Sequence, residues 1–168
     1  SNAGLVEEYH DHIPSREGWA ARHWSRIQGA EHLATRDRAG IFNLSTFTKI
    51  EVGGPGALSF LESICANRID RPVGTIVYTA LCNSRGGIVA DLTVSRLEED
   101  RFWILTGGGV GPHDFAWIRQ HAPTQGAVTL RNMGGQVTTV GLWGPQARDI
   151  LQPLVEEDIS NAAFPFYT

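Results

Sequence analysis

The 168 residues are 42% hydrophobic and 19% charged, which is enough apolar material for a core in one domain of ordinary size. The formal net charge is -4 and Lys and Arg form no long run, which excludes a strip that would hold a polyanion such as DNA. No stretch approaches the roughly 20 apolar residues of a membrane-spanning helix and no signal-peptide pattern opens the chain, so the expectation is a soluble, cytoplasmic protein.

Ser1-Asn2-Ala3 reads as the remnant of tag removal, and residues 1–3 are set apart from the fold. Residues 4–29 are polar and aromatic without clear periodicity and read as a leader that packs at a junction rather than as an independent helix. Residues 30–38 suit a short helix stopped by Gly40. The alternation of Phe47-Thr-Lys-Ile-Glu-Val52 predicts a strand, Gly53-Gly54-Pro55 a tight turn, and the apolar spacing of Ala57 to Cys65 an amphipathic helix of about three turns. Ile76 to Cys82, a turn at Asn83 to Gly87, and Ile88 to Ser95 predict a hairpin. A third strand, Arg101 to Thr106, extends it to an antiparallel meander.

Gly107 to Gly111 then leads into a helix from Pro112 to His121. The glycine run lacks the G-x-x-x-x-G-K-[ST] pattern, so a flexible strand-to-helix turn is the expected reading rather than a phosphate loop. Strands at Ala127 to Arg131 and Val137 to Leu142 precede a helix from Ala147 to Leu154. Gly54-Pro55 and Gly144-Pro145 open two similar strand-turn-helix units, which fits an internal duplication and also fits two uses of a good helix start. Hairpins mixed with helices, without regular β-α alternation, predict an α+β domain with a largely antiparallel sheet and packed helices.

Cys65 and Cys82 lie in apolar contexts and are expected to be buried reduced thiols; the six histidines are scattered, so no metal site is expected. In the strand Ile88 to Val94, the apolar set Ile88, Ala90, Leu92 and Val94 shares one face and should meet the core. Val89, Asp91 and Thr93 share the other, which is either a ligand cavity or plain solvent.

The ordered runs Gly40-Ile-Phe-Asn-Leu-Ser45, Lys49-Ile-Glu-Val52, Asn83-x-x-Gly86-Gly87-Ile-x-x-Asp91-Leu-Thr-Val94, Asp100 to Gly107 and Leu142-Trp-Gly-Pro-Gln-Ala147 resemble the folate-binding aminomethyltransferase family, which includes the T-protein of the glycine cleavage system. The leader Arg16 to Trp24 and Val110-Gly-Pro-His-Asp114 look closer to the folate domain of dimethylglycine and sarcosine dehydrogenases, where a flavin domain comes first. The resemblance makes residues 30–168 the first part of such a domain, without its second half and C-terminal barrel, so tight folate binding by these residues alone is not expected.

The resemblance implies tetrahydrofolate as cofactor, FAD in a preceding domain of the parent, and a small N-methyl amine as substrate. The implied activity is one-carbon transfer within a flavin-linked N-methyl amine dehydrogenase. The alternatives are a stand-alone glycine cleavage aminomethyltransferase or a non-catalytic folate-binding scaffold. Asp91 is the candidate catalytic and folate-binding residue, because a fixed carboxylate stabilises a developing cation and accepts a proton. Tyr78 is the candidate aromatic wall of the folate site or a core residue, and Thr106 a weaker candidate contact; Asn43, where the family usually carries Asp, has no assigned role.

Overall fold

The computed structural model describes residues 3–168, so Ser1 and Asn2 of the expected tag remnant lie outside the described residues. The chain divides into two compact units. One holds Asn43–Thr139 and Pro165–Thr168; the other holds the residues up to Phe42 and Val140–Phe164.

The larger unit is a five-stranded sheet in the order β3-β4-β5-β2-β6. Its strands are β2 (Thr48–Gly53), β3 (Ile76–Cys82), β4 (Ile88–Glu98), β5 (Arg101–Thr106) and β6 (Thr129–Asn132), and every pairing is antiparallel. The expected meander is present, and β2 sits between its last strand and β6. Period-2 alternation sends Ile50 and Val52, Ala90, Leu92 and Val94, and Phe102 and Ile104 to one face, where all are buried. Helices α4 (Ala57–Ile64) and α5 (Gly111–His121) supply Phe60, Leu61 and Ile118 to the same core. Fully burying a side chain of this size contributes about 1.5–3 kcal/mol. The core therefore dictates which residues the opposite face carries.

One residue leaves the expected pattern. Ile88 was assigned to the core face but is 73% exposed. The β3–β4 register shifts between Leu81 and Cys82, so the alternation slips where the hairpin meets its turn.

In the smaller unit, α1 (Ala3–Glu8) and α2 (Gly18–His23) stand where a packed leader without a helix is expected, and α3 (Arg26–Asp37), the helix expected at residues 30–38, begins before residue 30. Tyr9, Ile13, Ala30 and Ala34 form a small core of their own, with Trp24 and Leu33 against it. Only α3 packs with a helical stripe, Ala30, Leu33 and Ala34, which is the part the sequence predicts; α1 and α2 bury no residue fully, which is why periodicity missed them. Gly40 opens β1 (Gly40–Asn43) instead of stopping the helix, whose C-cap is Arg38. Strand β1 pairs with β7 (Val140–Trp143), which leads into α6 (Ala147–Leu151). Among the described residues no helix is long and apolar enough to cross a membrane.

The two Gly-Pro corners share a backbone solution. Gly54 and Gly144 have φ of 108° and 115°. Two residues on, the N–H of Gly56 donates to the Ala127 carbonyl at 2.8 Å and that of Gln146 to the Arg38 carbonyl at 2.9 Å. A Cβ on Gly54 would stand 2.7 Å from the Ala127 oxygen, and one on Gly144 would run into the Arg38 oxygen. Each glycine is thus demanded twice, by its φ and by the carbonyl beside it. Gly54→Ala should lower stability by about 1–3 kcal/mol in urea denaturation. Gly86→Ala, at φ 78° with nothing within 4 Å of the added carbon, should cost about 1 kcal/mol.

Candidate functional site

The face of the sheet opposite the core carries the polar set. Tyr78, Thr93, Leu105 and Lys49 are successive cross-strand partners and form one row from β3 to β2. Asp91 stands on the same face one row away, opposite Ala80. From the diagonal position the Tyr78 hydroxyl donates to Asp91 Oδ2 at 2.8 Å, within the reach of an aromatic side chain across an antiparallel pair. Tyr78 is 53% exposed, which removes the core reading of that residue.

Tyr78 and Asp91 line a concavity of about 340 Å³, with Thr93 and Leu105 from the sheet and Leu44, Phe47 and Thr139 as a wall on one side. A volume of about 340 Å³ lies at the small end of the range of small-molecule sites. It holds one carboxylate among mainly apolar surroundings, with one carboxylate oxygen committed to Tyr78 and the other without a hydrogen-bond partner among the described residues. That arrangement can attract a cation or N–H donor and accept a proton from it. It supplies no nucleophile.

Thr106 borders the concavity, but its side chain belongs to the other face. It is 2% exposed, alternates with Phe102 and Ile104, and its hydroxyl donates to Asp114 Oδ2 at 2.5 Å. Asp114, on α5, also meets His113 Nδ1 at 3.0 Å. The structure therefore brings Tyr78 and Asp91 together and gives Thr106 a place in the rim, with its hydroxyl spent inside. Asn43 accepts the Ser45 N–H at 3.0 Å and is a turn residue.

Elsewhere on the face, Glu51 accepts hydrogen bonds from Trp103 Nε1 at 3.2 Å and Arg101 Nε at 3.1 Å. These two contacts, with Arg131 nearby, hold its carboxyl below the usual range. Cys65 is no nucleophile either: burial pushes its thiol up to about 12. Neither cysteine is fully buried, and both are free thiols. No cluster of His, Cys, Asp and Glu suited to a metal occurs among the described residues. In the glycine run Gly107–Gly111, Gly108 is packed on the Thr46 carbonyl and Gly111 on the Thr48 side chain, so neither position has room for a Cβ.

An antiparallel sheet covered on one face by helices, with a carboxylate-bearing concavity on the other, defines a mixed α+β domain. The chain belongs to the GCVT N-terminal domain family, whose model matches residues 3–168. It is 34% identical over 152 residues, 90% of this chain, to the mitochondrial dimethylglycine dehydrogenase of Rattus norvegicus. It is 33% identical over 162 residues, 95% of this chain, to the aminomethyltransferase of Halalkalibacterium halodurans. The glycine cleavage system aminomethyltransferase T of Bartonella henselae superposes with a TM-score of 0.68 at 27% identity over 89% of this chain and 42% of its own. The chain spans 18% of the rat enzyme and 44% of the Halalkalibacterium enzyme.

The hydrogen bond to Asp91, followed by the charge of that carboxylate, raises the Tyr78 pKa above 10.0. A raised pKa means the folded state favours the neutral phenol. The stabilisation is complete below the unfolded value of 10.0 and disappears as pH rises through the folded one. Ultraviolet titration, with Tyr78→Phe subtracted, should show this phenol ionising later than free tyrosine. In Asp91→Asn the delay should shrink.

Proposed function

We propose that the Asp91 concavity binds the pterin of tetrahydrofolate and that this chain is the folate-binding part of a flavin-linked N-methyl amine dehydrogenase of the dimethylglycine or sarcosine type. The observation that carries the reading is the Asp91 carboxylate, held by the Tyr78 hydroxyl at 2.8 Å in a mainly apolar concavity of about 340 Å³. Membership of the GCVT N-terminal domain family and likeness to the rat dehydrogenase over 90% of the chain support it.

Tetrahydrofolate, when bound, would supply the nitrogen that accepts the one-carbon unit, and that nitrogen would carry a positive charge until it loses a proton. Asp91 faces that charge and takes the proton that must then leave. Tyr78 donates to one carboxylate oxygen, so the other is left to accept. Thr106 enters only as rim. A flavin in the parent would supply the oxidation of the amine; no residue of this chain is assigned to holding it.

The second reading is a stand-alone aminomethyltransferase. It is favoured by the match to the Halalkalibacterium enzyme over 95% of the chain and by the superposition on the Bartonella structure. Both readings use Asp91 alike, and the visible absorbance of a bound flavin in the full-length protein separates them.

Calorimetry of reduced folate on the full-length protein tests the shared core. Asp91→Ala should weaken binding by more than about 1.4 kcal/mol, a tenfold change. Binding unchanged by the substitution would remove Asp91 from the site, and no binding by the wild type would end the folate reading.

A further inference from the structure

One buried polar side chain beside the concavity has no part in the chemistry above. Lys49 is 1% exposed, and it faces the Asp91 side of the sheet in the row of Leu105 and Thr93. Its Nζ donates to the Ser45 carbonyl at 3.0 Å. Ser45 is bound in turn to Thr139: the Thr139 N–H donates to Ser45 Oγ at 3.2 Å, and the Ser45 hydroxyl donates to the Thr139 carbonyl at 3.4 Å. The Leu44 N–H reaches the same carbonyl at 2.9 Å, and the Phe47 N–H closes the turn on the Leu44 carbonyl at 3.0 Å. Leu44, Phe47 and Thr139 are the residues that wall the concavity.

A leucine or methionine at this strand position would fill space without removing an amino group from water. Lysine adds the one thing those residues lack, a donor at the end of a long stem that reaches the turn. The turn itself is short and polar, and it lies outside every helix and strand. Its placement over the sheet therefore depends on the few bonds at Ser45. Positioning groups of this kind matter because a binding wall displaced by a fraction of an ångström loses its fit.

We propose that Lys49 is a positioning residue, fixing the Leu44–Phe47 turn and, through Ser45, Thr139 as the wall of the Asp91 site. The consequence for ligand affinity rests on the folate reading above; the consequence for the wall does not. Lys49 touches no ligand in this scheme, so its loss should weaken binding and leave the chemical step intact.

The test is Lys49→Met in the full-length protein, followed by hydrogen exchange and by steady-state kinetics with reduced folate. The amides of Leu44, Ser45 and Thr139 should exchange about tenfold faster while those of β3, β4 and β5 keep their protection. KM for the folate should rise about tenfold with kcat within about threefold of wild type, whereas Asp91→Ala lowers kcat. Unchanged exchange at Leu44, Ser45 and Thr139 overturns the proposal. If wild type uses no folate, that reading fails and exchange alone decides the role of Lys49. If Lys49→Met loses protection throughout the sheet, Lys49→Gln, which keeps a donor on a shorter stem, decides instead: faster exchange confined to Leu44, Ser45 and Thr139 supports the proposal, and unchanged exchange there overturns it.

Discussion

Everything at the Asp91 site depends on a register constraint in β4. Ala90, Leu92 and Val94 are buried against α4 and α5, and successive side chains of a strand point to opposite faces. A slip of one residue would put Asp91 and Thr93 into the core and expose the three apolar side chains. Burial of residues of this size contributes about 1.5–3 kcal/mol each, and an unpaired carboxylate in the core would cost several kcal/mol more. The orientation of the Asp91 carboxylate is therefore enforced by core residues on the opposite face of the strand.

The same logic runs across the sheet. Ile50 and Val52 secure β2, which leaves Lys49 and Glu51 on the Asp91 face. Phe102 and Ile104 secure β5, which leaves Trp103 and Leu105 there and carries Thr106 to the opposite side. Glu51 gains Trp103 and Arg101 as partners only because the pairing of β2 with β5 brings residues 51, 101 and 103 side by side. Buried polar groups must be partnered, and Lys49 on this face and the Thr106–Asp114 pair on the core side each are.

The two Gly-Pro corners show one local device serving both units. In each, a glycine with φ above 100° approaches a carbonyl, and the N–H two residues later bonds that same carbonyl. The shared hydrogen-bond pattern goes beyond what a good helix start requires, which strengthens the duplication over coincidental use of the Gly-Pro pair. The helices they open differ in burial: α4 contributes Ala57, Phe60 and Leu61 to the main core, whereas α6 buries none of its residues fully.

Period-2 alternation and turn chemistry were legible in the chain itself, so β2 through β5, the meander, the α+β class and the facing of Asp91 opposite Ala90, Leu92 and Val94 followed from local order. The leader helices were not legible, because their packing uses isolated residues such as Tyr9, Ile13 and Trp24 instead of a periodic stripe. Ile88 escaped because a register shift at the hairpin is a property of the pairing and not of either strand. Only the tertiary structure decided that Tyr78 is a partner of Asp91, that Thr106 spends its hydroxyl on Asp114, and that Lys49 reaches back to Ser45. Periodicity states which face a residue takes; which neighbours share that face depends on strand order and register, and those are settled between segments distant in the chain.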